Sequence, residues 1–354
     1  MNKLEDLFSQ NPYSMGKSKK NIFFKNFQKK LILYHYKNSQ SYRKILNFLK
    51  FKSKKSYDLK DMPFLPVRLF KKFDLLSVNK KKVIKTLNSS GTTGNKTSKI
   101  YLDRYNSLNQ VKALQKIMHH LLGNERLPML IVDEDVKKIN RSNFSARIAA
   151  INGFSIFGKN YTYLLDTNGE INYGRLNAFL KKYGKRKFLI FGFTSLIYQN
   201  LLNKISKKKI YSDLENGLLL HGGGWKKLLN LKVSNKKFKE QLKKKLNLKH
   251  IYNYYGLVEQ TGSIFIECKC GYFISSNFSD IIIRDENFNE LKHNQKGFIQ
   301  LFSLLPSSYP GHIILTEDVG EIIEPNNCNC SINGKRFLIH GRIQEAEIRG
   351  CSDV

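Results

Sequence analysis

Long apolar runs are missing from this sequence. A membrane-spanning helix needs about 18 or more uninterrupted apolar residues, whereas the most apolar stretch, Phe188 to Tyr198, is short and broken by Gly192. The opening MNKLEDLFSQ is acidic by Glu5 and Asp6 and has no apolar signal core. These absences predict a cytoplasmic protein without a transmembrane segment. Acids are scarce as well, with 28 Asp+Glu against 61 Lys+Arg, a formal charge of +33. Such a balance suits an anionic partner, but it reads first as a lysine- and asparagine-rich compositional bias laid over an ordinary surface. The basic residues are nevertheless scattered through helical stretches such as Lys17 to Lys30 and Lys236 to Lys245. They form no basic–aromatic groove and match no nucleic-acid-binding module, so no nucleic-acid partner is expected. There are only 5 cysteines, all between Cys268 and Cys351. A secreted disulfide framework would be spread through a much smaller chain. Internal repeats and low-complexity linkers are absent.

What remains reads as an α/β protein of 354 residues. Residues 1–75 show helical spacing of apolar positions, followed by the Pro-punctuated and therefore extended MPFLPVRLF. Residues 76–262 alternate short β-rich runs with amphipathic stretches. The strand candidates are 128–132, 161–165, 187–191, 217–221 and 250–255, and the helix candidates lie near 141–151, 171–183, 194–206 and 234–246. That alternation predicts a parallel sheet covered by helices, with ligands beyond the carboxyl ends of the strands. From 263 to 354, strands such as SDIIIRD, GFIQLFSLL, GEIIEP and KRFLIHGR predict a smaller β-rich subdomain.

Five loops carry residues suited to chemistry. NSSGTTGNKTSK (88–99) combines two glycines, six hydroxyl residues and two lysines. Its backbone and side chains suit an anion, although the spacing is not that of the GxxxxGK[ST] phosphate loop. Its plainer reading is a polar turn between strands. HGGGWKK (221–227) puts three glycines at a strand end, where backbone approaches a ligand closely or simply turns. NYYGLVEQTG (253–262) places Tyr255 for stacking and Glu259 for a hard cation such as Mg²⁺, or else as a helix-start acid. LTEDVGEI (315–322) reads as an acidic turn whose carboxylate suits a pair of ribose hydroxyls, or a solvated turn. GRIQEAEIRG (341–350) supplies Arg342 and Arg349 for phosphate or ribose, or is an ordinary charged strand. His312 reads as structural or pocket-lining. Phe191, Phe193, Trp225 and Tyr254 are wall candidates by position.

The order of these loops resembles that of adenylate-forming enzymes. PFLPVRLFK, SSGTTGNKTSKIYLD, FGFTSLIY, HGGGWKK, YYGLVEQTGSIFIEC, LLPSSYPGHIILTEDVGEI and GRIQEAEIRGCSD together resemble the acyl-protein synthetase family of bacterial bioluminescence operons, from about Pro63 to Val354. The resemblance implies an ATP- and Mg²⁺-dependent ligase that activates a carboxylic acid, a fatty acid in the bioluminescence relatives, as its adenylate. Ser89, Ser90, Gly91, Thr92, Thr93 and Gly94 would hold the phosphates. Gly223, Gly224, Tyr255 and Gly256 would border the adenine, Glu259 would bind Mg²⁺, and Asp318 with Arg342 would bind the ribose. Three departures stand out. Val258 replaces the superfamily's threonine, with Thr261 nearby. Glu347 lies where many relatives have lysine. The superfamily's C-terminal lid, with its catalytic lysine, is expected to be absent, leaving Lys96, Lys99, Lys226 or a partner to supply positive charge.

In the family the acyl group is then held on a cysteine near the C-terminus and passed to a partner, a reductase or carrier protein. Cys351 fits that description here, and its neighbour Arg349 would favour the thiolate. The plain alternative is an inert cysteine. Cys268–Lys–Cys270 and Cys328–Asn–Cys330 form two CxC pairs separated by 57 residues (271 to 327), a set that suits structural zinc or four reduced thiols without metal. Three competing readings are a phenylacetate-type acyl-CoA ligase, a non-catalytic scaffold of the same fold, and a nucleic-acid binder driven by charge.

Overall fold

A computed structural model of the chain describes residues 2–89, 97–135, 146–205, 214–224, 233–324 and 328–342. The N-terminal helices are α1 (Asn2–Ser9), α2 (Lys17–Asn38) and α3 (Gln40–Phe48). Ser39 separates the last two, its hydroxyl accepting from the Tyr42 amide at 3.4 Å. The extended segment predicted around Pro63 and Pro66 contains β1 (Leu65–Pro66) and leads into α4 (Leu69–Lys72). A hairpin of β2 (Val83–Asn88) and β3 (Lys99–Asp103) follows, and Asp103 caps α5 (Arg104–Leu122) by accepting from the Asn106 amide at 2.8 Å.

The middle of the chain alternates as predicted: β4 (Leu127–Ile131), α6 (Ala146–Ser155), β5 (Gly158–Tyr163), α7 (Tyr173–Tyr183), β6 (Phe188–Phe193), α8 (Thr194–Leu196) running into a π-helical turn (Ile197–Leu202), β7 (Gly217–Gly222), α9 (Asn235–Leu246) and β8 (His250–Tyr255). The strands lie parallel in the order β5-β4-β6-β7-β8. β4, β6 and β7 are buried along their whole length, which is why they read as unbroken apolar runs. Phe188 and Ile190 join one core cluster with Leu176 of α7, Leu201, and Phe238 and Leu242 of α9. The expected strand at 161–165 starts earlier, at Gly158, and Leu165 makes only an isolated bridge to Ile171.

The C-terminal region is β-rich, with β9 (Phe265–Glu267), β10 (Phe273–Ile274), β11 (Ser279–Arg284), β12 (Gly297–Ser303), β13 (Ile313–Ile323) and β14 (Arg336–Arg342). The pairings β11–β12, β12–β13, β13–β14, β14–β10 and β10–β9 are all antiparallel. LTEDVGEI is not a turn. One strand of 11 residues runs through it, and the irregularity it signals is a register shift against β14 at Val319/Gly320.

Compactness divides the chain differently from composition. One unit holds the chain up to Gly123 and again from Gly256, and the other holds Asn124–Tyr255. The N-terminal helices do not stand apart, because their buried face is committed to the C-terminal strands and loops. β1 pairs in parallel with β13, Leu65 opposite Ile314. The Gln28 amide donates to the Ser303 carbonyl at 2.9 Å, and the Lys20 ammonium to the Ser275 hydroxyl at 2.9 Å. Among the described residues no helix is long and apolar enough to cross a membrane.

His35 makes a further tie. Its Nε2 faces the Pro306 carbonyl at 3.2 Å, so Nε2 carries the proton and Nδ1 accepts from the Ser77 hydroxyl at 2.8 Å. Its ring stacks on His312 at 4.7 Å, which makes His312 a structural residue, as expected. Burial lowers the pKa of His35 to about 3 and holds His312 well below the ordinary value. A histidine depressed in the folded state gives stability that is full above about 6.5 and lost as pH falls toward the folded value. Unfolding stability should therefore drop by a few kcal/mol, roughly, between pH 6.5 and 5, ahead of ordinary carboxylate titration. His35→Gln should lower stability at pH 7 yet flatten that slope by about one proton. Urea melts of both proteins at the two pH values test this, and an unchanged slope would remove His35 from the account.

Candidate functional site

In the unit containing the C-terminal strands, three predicted groups come together. Glu259 sits in a short 3-10 turn (Val258–Gln260) and is 5% exposed. Burial raises its pKa. Ser98, Lys71 and Arg342 oppose that shift. The Ser98 hydroxyl is buried without a geometrically complete hydrogen bond. A carboxylate beside a hydroxyl offers the oxygen ligands a hard cation takes, with Lys71 and Arg342 competing for its charge. Asp318 lies opposite Arg342 in the β13–β14 register, and the Arg342 Nε donates to Asp318 Oδ1 at 3.1 Å. Asp318 is buried and Arg342 more exposed, so a part-exposed guanidinium orients a buried carboxylate. Arg68 pairs in the same way with the neighbouring Glu317.

Residues with no individual role assigned from sequence, apart from Thr261, support this group. The Tyr309 hydroxyl donates to the Glu259 carbonyl at 2.8 Å, and the Gln260 side-chain amide to the Gly311 carbonyl at 2.9 Å. The Asn106 carboxamide oxygen accepts from the Ser307 and Ser308 amides at 2.8 and 3.0 Å. The loop 304–312 is thus held against both α5 and the Glu259 turn. Thr261 spends its hydroxyl on the Val258 carbonyl at 2.8 Å, stabilising the turn in which Val258 stands. The Ser/Thr/Gly loop grows from the β2–β3 hairpin. Ser89 and Ser98 close its base, the Ser98 amide donating to the Ser89 hydroxyl at 2.8 Å. Ser90, Gly91, Thr92, Thr93, Gly94 and Lys96 lie outside the described residues, as do Trp225, Lys226, Glu347, Arg349 and Cys351.

The other unit holds three of the adenine candidates, Gly223, Gly224 and Tyr255, at or just past the carboxyl ends of its parallel strands. Gly222 ends β7, where a Cβ would lie 2.3 Å from the Tyr254 ring. Gly223 has φ +78° and faces Phe193. The Thr194 hydroxyl joins the His221 Nδ1 at 2.9 Å and the Gly222 carbonyl at 3.1 Å, tying the ends of β6 and β7 together. Burial lowers the His221 pKa to about 3, so the ring is neutral. Phe191 and Tyr254 do share an aromatic cluster, and it includes Phe154, at 4.8 and 4.7 Å from their rings. Tyr255 ends β8 and Gly256 follows it.

All four cysteines of the CxC pairs converge, their sulfurs lying within 4.8 Å of one another. Burial pushes the Cys268 thiol up to about 12. For Cys328, burial is outweighed by hydrogen bonds from the Cys330 backbone, Arg336 and neighbouring thiols, which bring it to about 7.

With this geometry in place, comparison with known proteins is decisive for the family. The sequence profile described as acyl-protein synthetase, LuxE, matches residues 2–354. The chain belongs to the LuxE acyl-protein synthetase family. A comparison of this LuxE-family chain with curated protein sequences returns no match. Among solved structures it is similar to an open conformation of 2-hydroxyisobutyryl-CoA ligase in complex with 2-HIB-AMP and CoA. The TM-score is 0.71 at 13% identity, covering 95% of this chain and 77% of the ligase. The same ligase in its postadenylation state with 2-HIB-AMP matches with a TM-score of 0.67 at 12% identity, over 94% and 70% of the two chains. An ATP-bound RpMatB-BxBclM chimera matches with a TM-score of 0.50 at 14% identity, over 76% and 50%. At these identities the likeness is one of fold: the LuxE-family chain has the α/β fold of adenylate-forming enzymes. Family and fold together are those of enzymes that form acyl-adenylates.

Proposed function

We propose that this protein uses Mg·ATP to activate a carboxylic acid, a fatty acid by family resemblance, and then carries the acyl group on Cys351 for delivery to a partner protein such as an acyl reductase or carrier protein. The observation that carries the reading is the grouping of Glu259, Asp318 and Arg342. The substrate carboxylate oxygen attacks the α-phosphorus, the bond to the β-phosphate oxygen breaks, and pyrophosphate leaves. The Cys351 thiolate, its proton given to solvent, then attacks the acyl carbon, and AMP departs with the bridging oxygen.

Asp318, held by Arg342, accepts the two ribose hydroxyls and fixes the nucleotide's position. Glu259 is the residue that would hold Mg²⁺, whose positive charge serves the phosphates when it is bound. Gly223, Gly224 and Tyr255 border the adenine, and the hydroxyl loop 89–94 takes the phosphates, with Lys96 adding charge. A thioester carried on Cys351 suits the cytoplasm, where thiols stay reduced.

Intact-protein mass spectrometry after incubation with Mg·ATP and a panel of carboxylic acids tests the proposal. The expected result is a hydroxylamine-labile acyl adduct, mapped to Cys351 and lost in Cys351→Ser. Pyrophosphate release without an adduct would remove Cys351 and point to a diffusible acceptor such as coenzyme A. Neither adduct nor pyrophosphate, with the partner present, would leave a scaffold of the same fold.

A further inference from the structure

Two very short strands meet beside the cysteines. β9 has three residues and β10 two, and β10 pairs over only two positions with β9 on one side and β14 on the other. So few ladder bonds hold a three-stranded ribbon weakly. Cys268 and Cys270 occupy the β9–β10 connection. There the Gly271 amide donates to the Cys268 carbonyl at 2.9 Å, and Gly271, at φ +90°, turns the chain behind the second sulfur. Cys328 and Cys330 occupy the approach to β14. The Ile332 amide donates to the Cys330 carbonyl at 2.8 Å, and Arg336 Nη2 to the Cys330 and Ile332 carbonyls at 2.7 and 2.8 Å. Two loops some 60 residues apart in sequence are thus each shaped to present two sulfurs to the other.

We propose that Cys268, Cys270, Cys328 and Cys330 bind one zinc ion, and that this ion fixes the start of β14, the strand whose far end carries Arg342 opposite Asp318. Cys268 lies 3.7 Å from Cys328, and Cys270 lies 3.5 Å from Cys330. Zinc–sulfur bonds of about 2.3 Å in a tetrahedron put sulfurs about 3.8 Å apart, so a single ion fits with little movement. Two disulfides would instead draw each pair to about 2 Å. Four thiolates around a dication leave a local charge of minus two, which the Arg336 guanidinium and a chain of +33 offset. A closed four-sulfur shell leaves no open position, so the ion is structural. Tyr13, Ile274 and Ile332 pack around the sulfurs and shield all but the Cys270 side. The metal stands apart from the adenylation reading, and only its link to β14 draws on that reading.

The full chain, purified reduced from zinc-replete cells, decides both parts. Elemental analysis should find one zinc per chain, kept in Cys351→Ser and lost in Cys328→Ser. If Cys328→Ser does not fold, thiol titration of the wild-type protein replaces it: the zinc-loaded chain should offer one reactive thiol, Cys351, and the stripped chain all 5. Cobalt exchanged for zinc should give the intense absorption of a tetrahedral all-thiolate site. A chain with no metal and no thermal shift on adding zinc would overturn the site, as would iron in its place or two disulfides in the peptide map. ATP binding should weaken at least fivefold when zinc is stripped. Unchanged ATP affinity in a stripped chain that remains folded would overturn the link to β14.

Discussion

Glu259→Gln should abolish ATP–pyrophosphate exchange, by a factor on the order of 10² to 10³, while leaving the protein at least as stable as the parent. The two halves of that expectation come from one fact. Glu259 is buried, and burial raises its pKa, so ionising it costs the folded state free energy at neutral pH. Glutamine has nearly the same shape and no charge, and it removes that cost together with the anion. A residue whose replacement stabilises the fold but ends the reaction is placed for function. The sign of the pH dependence follows. A proton competes with the cation for this carboxylate, so activity should fall on the acid side at a higher pH than an ordinary glutamate would give. Added Mg²⁺ should push that limb lower. Exchange assays across pH and Mg²⁺, paired with thermal melts, check all three points. Loss of stability in Glu259→Gln would instead make the residue a structural one.

Gly262→Ala should destabilise the protein by about 3 kcal/mol or more, and so lower the melting temperature by roughly 4 °C or more. Gly262 has φ +86°, which a side chain resists. A Cβ there would also stand 2.6 Å from the Gln110 carbonyl oxygen and 2.7 Å from its Cα, in the body of α5. The three nearest atoms are all backbone of Gln110, so no flexible group is there to yield. The turn bearing Glu259 rests on that helix, so the same change should cut activity by displacing the carboxylate. Gly153→Ala is the opposite case. It lies within α6 with nothing within 4 Å of the added methyl, and should gain about 0.5–1 kcal/mol. Differential melts of the two variants separate conformational need from mere glycine content. Equal stability in both would refute the close approach at Gly262.

The sequence by itself determined the parallel strands of the middle unit and the order of the loops along the chain. β4, β6 and β7 announce themselves because a strand buried on both faces must be apolar throughout, and that pattern is local. The order of motifs from Ser89 to Arg342 was equally legible, since each needs only short stretches of particular residue types. α2 was legible as a helix but not in its placement: Lys20, Gln28 and His35 on its buried face have partners that lie far along the chain.

Only the tertiary structure decided that LTEDVGEI is a strand, because the bulge at Val319/Gly320 is defined by its pairing with β14. Only the tertiary structure put Arg342 on Asp318, Tyr309 under Glu259, and four sulfurs from two distant loops within reach of one ion. The reason is common to all of these. Periodicity and turn chemistry act over a few residues, whereas register, burial of a charge and convergence of side chains are set by pairings between segments that propensity does not connect.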